Sequence, residues 1–186
     1  MTATLPTILK YGIIAGLIVG VPMVIFTSSM LEDPPPMWVG MAIGYTTMLV
    51  ALSTVFIAIK RRRDVDLGGV IRFLPALGLG LGISFVAALI YVLAWELTLA
   101  VTGMDFGAVF TGALIEAEKA KGVTGAELDK FIAGMRQFEA DYRDPLYRMP
   151  MTFTEIFPVG VLVSLVSAGL LSNRRFLPAR RTPAAA

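Results

Sequence analysis

The chain contains no cysteine and no histidine among its 186 residues. Without cysteine, neither disulfides nor thiolate chemistry is available. Without histidine it lacks the commonest general base and the commonest transition-metal ligand, so no zinc or haem site and no Ser-His or Cys-His catalysis is expected. Charge is scarce too: charged residues make up 16%, against 56% hydrophobic residues. A soluble domain carries about 25% charged residues, so this composition is not that of a water-soluble fold.

What is present is four apolar runs, each long enough to cross a bilayer, which takes about 20 residues. They cover roughly 9–31, 37–59, 74–101 and 151–171. The expected fold class is therefore all-α: a polytopic membrane protein, one membrane domain with four transmembrane helices in a bundle. A secretory signal has an apolar stretch of only about 7–15 residues and ends at a small-residue cleavage site. The first run is longer and ends in "SSMLEDPPP", so it is read as a retained helix.

Basic residues orient the spans. Ten of the 16 Lys and Arg residues are Lys10; Lys60, Arg61, Arg62, Arg63 and Arg72 between spans two and three; and Arg174, Arg175, Arg180 and Arg181 in the tail. The loop after span one carries Glu32 and Asp33 and no base. Basic flanks stay cytoplasmic, which puts both termini inside. The clusters "KRRRD" and "NRRF" lack interleaved aromatics for base stacking, so the expected partner of this charge is the lipid bilayer and not nucleic acid.

Residues 103–150 then lie outside the cytoplasm. Asp105 is placed to cap a helix with Phe106, Val109, Phe110, Ala113, Leu114 and Ala117 on one face. Gly122 suits a left-handed C-terminal position. Thr124 and Glu127 have capping-box spacing ahead of a second helix that stops before Pro145. The expectation is an extracytoplasmic amphipathic helical hairpin resting on the membrane surface or on the tops of the spans. Its eight acidic and six basic residues read as a solvated face, with a partner surface as the alternative.

Every span carries small residues four apart: Gly12, Gly16 and Gly20; Gly40 and Gly44; Gly78 and Gly82; and Gly160 with Ser164 and Ala168. Small residues let helix backbones approach closely in lipid, within one chain or in a homo-oligomer. "GLGLG" at 78–82 lacks the spacing and the preceding strand of a phosphate-binding loop.

Several segments together resemble a known family. They are "KYGIIAGLI", "GYTTMLVALSTVFIAIKRRRD", "GGVIRF" with "YVLAWE", and "EIFPVGVLVSLVSAGLL". In this order and spacing the chain resembles, over about residues 8 to 173, the bacterial membrane family catalogued as domain of unknown function 4199. The resemblance implies a four-span protein of the bacterial inner membrane, with the external hairpin in the same place. It brings no activity, cofactor or catalytic residue.

The stretch 83–103 holds one charge, Glu96, and span four holds another, Glu155. Ionisable groups inside lipid are costly and usually functional. Counting at 1.5 Å per residue, Glu96, Glu155 and Tyr45 all fall in the outer leaflet. In one reading Glu96 pairs with a snorkelling arginine, Arg148. In another, Glu96 and Glu155 meet and share a proton or a cation with Tyr45 and Thr154, where Pro158 frees the carbonyl of Thr154. Structural alternatives are an N-terminal cap made by Thr152 and Glu155, and interfacial roles for Trp38, Tyr45, Tyr91 and Trp95. The membrane serines Ser53, Ser84, Ser164 and Ser167 have no base beside them in sequence. The leading expectation is thus a non-enzymatic accessory or interaction subunit without cofactor or bound metal, docking onto other membrane subunits or onto itself. The alternative is a small transporter or channel using Glu96 and Glu155.

Overall fold

The computed structural model describes residues 4–30 and 35–178; Glu32, Asp33, Arg180 and Arg181 lie outside them. The described residues form six α-helices: α1 (Thr4–Ser29), α2 (Met37–Arg61), α3 (Phe73–Thr102), α4 (Phe106–Ala120), α5 (Gly125–Tyr142) and α6 (Pro145–Ser172). The helices α1, α2, α3 and α6 are each long and apolar enough to cross a membrane. They are apolar nearly all round, as expected of helices whose outer faces meet no water.

Chain chemistry sets the helix ends. The helix α3 stops at Gly103, whose φ of 64° is left-handed and whose N–H reaches the Leu99 carbonyl. The carboxylate of Asp105 caps α4 by accepting from the Ala108 N–H at 3.1 Å. Gly122 after α4 has φ 86°, the left-handed position expected of it. Two expectations need correction. Thr124 does precede α5, but its side chain makes no cap hydrogen bond. The helix that carries span four starts at Pro145, six residues ahead of the apolar run at 151: Asp144 caps it through the Leu146 N–H at 2.9 Å, and Pro145 takes the first helical position, where no N–H is needed. Pro150 then falls in the second turn and is accommodated there. With α6 running from 145, Thr152 and Glu155 lie inside the helix and do not cap it.

The four long helices pack in the order α1–α3–α6–α2 around one core. Leu52, Ile83, Ile156, Ser84 and Ser164 fill its centre and are fully buried. Glycines set two of these contacts. A Cβ added at Gly12, Gly16 or Gly20 would lie 2.6, 2.5 or 2.8 Å from the Cβ of Val86, Ile90 or Ala94. The constant offset means that α1 and α3 run parallel, in contact over at least two turns. Between α3 and α6 the contact is antiparallel: Gly80 faces Ser164 and Gly160 faces Ser84, again with no room for a Cβ. Ser84 bonds the Gly160 carbonyl and the Ser164 hydroxyl, both at 3.2 Å.

Three of the expected packing glycines touch no other helix within the described residues of this chain. Nothing among the described residues lies within 4 Å of a Cβ built on Gly40, Gly44 or Gly78. Gly78 shares the face of Gly82, one turn nearer the start of α3, and the α1 offset that sets Ile8 against Gly82 puts Gly78 level with Thr4, the first described residue of α1. For α2 the reason is divergence. Its contact face is buried from Met48 inward, through Leu52, Val55 and Ile59, while Met41 and Tyr45 on the same side are 54% and 50% exposed.

Beyond Arg61 the chain makes one π-helical turn, Arg62–Asp66. Within this turn Arg63 continues the buried stripe of Val55 and Ile59 and is itself buried. Its guanidinium donates to the Phe176 carbonyl at 2.9 Å, to the carbonyls of Leu171 and Leu177, and to Asp64 at 2.6 Å. Read from sequence as an orienting charge, Arg63 also ties the end of α2 to the end of α6.

Candidate functional site

The antiparallel register of α3 and α6 decides which polar groups meet. Gly80 lies opposite Ser164, Ser84 opposite Gly160, Tyr91 opposite Glu155 and Glu96 opposite Arg148. Glu96 and Glu155 therefore do not come together. Seven residues separate Arg148 from Glu155, which puts Glu155 roughly 10 Å farther along α6 than the Glu96 level. The shared proton or cation between the two carboxylates is not what this register forms.

Glu96 is satisfied by Arg148. The guanidinium Nε donates to Oε1 at 2.7 Å and Nη2 donates to Oε2, a bidentate pair whose side chains are 19% and 13% exposed. Such a fork matches the carboxylate in geometry as well as in charge. Around the pair, Arg148 donates to the Tyr142 carbonyl at 3.2 Å and lies 5.8 Å from the centre of the Tyr142 ring. Trp95, next to Glu96, donates its indole N–H to the Tyr142 hydroxyl at 2.8 Å and meets Phe106 edge-on. Burial raises the Tyr142 phenol above its usual range. The pair thus joins α3, α5 and α6, and the aromatic groups carry the contact on to α4. Trp95, expected as an interfacial aromatic, here links helices.

Beside the pair a cleft of about 290 Å³ opens, lined by Gly103, Asp105, Phe106, Tyr142, Arg143 and Arg148. Both of its arginines are already bonded to carboxylates. Arg143 donates to Asp105 and Glu139, each at 2.8 Å. The Ala108 N–H and then Arg143 hold the Asp105 carboxyl below its usual range.

Glu155 is arranged differently. Its Oε2 accepts from the Tyr91 hydroxyl at 3.1 Å. Among the described residues no Lys or Arg lies within ion-pair distance of it. Glu155 is exposed, whereas Val159 and Val163 below it on the same stripe of α6 pack against the core. The helices α2 and α6 run parallel: Leu52 touches Gly160 and Arg63 reaches Leu171, an offset of 108 residues in both cases. That offset puts Glu155 level with Thr47, in the stretch where α2 is exposed. Tyr45 is within electrostatic reach of Tyr91. Thr154 is exposed and donates its hydroxyl to the Met151 carbonyl at 2.7 Å. Sequence reasoning names Tyr91 only as an interfacial aromatic. Its bond to Glu155 follows from the α3–α6 register, and no local spacing around Tyr91 signals it.

Fold and site together describe an all-helical chain with four span-length apolar helices, tied at one end by an ion pair and aromatic contacts to a pair of shorter helices. The chain belongs to a protein family of unknown function, DUF4199, whose model matches residues 10–173. No curated protein and no solved structure matches it.

Proposed function

We propose that the protein is a four-span subunit of the bacterial inner membrane that acts by association with other membrane subunits and not by catalysis. In this reading both termini lie in the cytoplasm and α4 and α5 lie outside. Lys60 and Arg61 at the end of α2, with Arg62 and Arg63 beyond it, support that orientation.

The observation that carries the reading is the direction of Glu155. An acidic side chain at this depth costs at least about 2.5 kcal/mol if it meets lipid charged. Such groups ordinarily face a bundle interior or a cavity. Here the residue stands at the edge of the bundle, part of it exposed, and its carboxylate accepts from one phenol in a part-buried contact. A surface of this kind is completed by something laid over it. The hydroxyls of Ser53, Ser84 and Ser164 are occupied by neighbouring carbonyls or by one another, which supports a structural role for them. An ion path using both carboxylates draws no support from their separation or from the neutralised Glu96.

Native mass spectrometry of the protein extracted from its own membrane tests this. A second subunit in fixed ratio that survives detergent exchange is expected. A protein that stays alone and carries Glu155-dependent proton flux in liposomes would overturn the reading.

A further inference from the structure

We propose that the recess between the outer half of α2 and α6 is the docking face for a transmembrane helix of another chain, one that presents a basic or amide side chain to Glu155. This rests on the association reading and specifies its surface and its partner chemistry.

Three independent features of the molecule converge on this face. The first is the carboxylate. Glu155 is exposed, about ten residues inside α6, and has a hydroxyl donor but no cation among the described residues. The second is the opening itself. The contact face of α2 is closed from Met48 inward and open at Tyr45, Gly44 and Met41. About three turns, some 15 Å, are left uncovered by the described residues. The third is the floor of the opening. Among the described residues, nothing stands where a Cβ on Gly40 or Gly44 would lie, which permits the close backbone approach typical of helix contacts in lipid.

Charge complementarity names the occupant. A second copy of this chain has no basic side chain to offer at this depth: Arg148, the basic residue of α6, is held bidentate by Glu96. A different helix with Lys, Arg, Asn or Gln at the level of Thr47 would meet Glu155 and Tyr91 together. The ion pair or hydrogen bond formed there would be shielded from water, and so would be worth more than the same contact on a soluble surface.

The test places a photo-crosslinking benzoylphenylalanine at Tyr45, with a second at Leu93 of α3, which is 64% exposed, as a control. The full chain is irradiated in its native membrane and the attached peptide is identified by mass spectrometry. The Tyr45 probe should join a membrane helix of another chain within two turns of a Lys, Arg, Asn or Gln. Glu155→Leu should lower that yield about tenfold, the size expected of one interhelical polar contact. Glu155→Gln, which keeps the shape, should lower it by less and guards against a folding defect in the leucine variant. Exchanging the charges, with Glu155→Lys here and the basic residue of the partner changed to Glu, should restore it. Attachment to a second copy, to lipid alone or to a helix without such a side chain overturns the proposal. So does a yield indifferent to Glu155. If mass spectrometry finds a partner while the Tyr45 probe meets only lipid, association stands and this surface falls.

Discussion

Arg148 of α6 holds both carboxylate oxygens of Glu96 on α3, although 52 residues separate them in the chain. The contact staples the ends of two spans next to α4 and α5. It also removes the only charge of α3 from solvation by lipid.

Breaking one side of this pair should cost more than removing both. Glu96→Leu or Arg148→Met leaves a desolvated charge behind, and each should destabilise the protein by about 2–4 kcal/mol. The double variant should recover at least half of the summed loss. Thermal unfolding in detergent, arranged as a double-mutant cycle, measures the coupling; additive losses would mean that the pair contributes no coupling.

The glycines should separate by partner. Gly16→Leu drives a side chain into Ile90 and should lower the melting temperature clearly, through about 1–3 kcal/mol of overpacking strain. Gly78→Leu meets nothing among the described residues and should stay within about 0.5 kcal/mol of wild type. Equal effects from the two would show that α1 and α3 do not meet along this face.

Arg63 should behave as an anchor. Arg63→Gln loses the fork that spans the carbonyls of Leu171, Phe176 and Leu177, and Arg63→Lys cannot replace three divergent donors with one point charge. Limited proteolysis between residues 173 and 178 should quicken in both variants, at a similar rate. Protection retained in Arg63→Lys would reduce the role to charge alone.

The link between Asp105 and Arg143 makes α4 sensitive to acid. Its folded carboxyl titrates below the usual value of 3.8, first through the Ala108 N–H and then through Arg143. Its contribution to stability is therefore complete above about pH 5. It is lost as pH falls below 3.8 and through the lower folded value. Trp95 reports on this, since it meets Phe106 at the start of α4. In a Trp38→Phe background its emission should shift in acid, and Asp105→Asn should show the shifted emission already at neutral pH. An unchanged emission in both cases would separate the cap from the position of α4.

Cysteine labelling checks the orientation. A cysteine at Lys130 of α5 should react with an impermeant reagent added to intact spheroplasts, and one at Arg62 should not. The reverse pattern would invert the topology.

The four spans, the Asp105 cap, the left-handed Gly122 and the break before Pro145 were all readable from periodicity and punctuation. The site was less so, for a physical reason. The helix α3 is apolar on every side, so its sequence carries no face, and without a face the choice between Gly78 and Gly80 or between Arg148 and Glu155 has no local signal. Only the α3–α6 register resolves it. Arg63 was hidden differently. Among four consecutive basic residues, Arg63 is the one that continues the buried stripe of Met48, Leu52, Val55 and Ile59, a stripe that the nearly uniform apolar sequence of α2 does not mark.

The burial of Arg63 has a mechanical side. Arg63 pins α2 at one end, and core packing grips it as far as Met48, while its first three turns are held by little among the described residues. A helix clamped along half its length is a cantilever. Its tip can change tilt while the clamp keeps every contact, so whatever settles against Glu155 can set the angle of α2 without loosening the core.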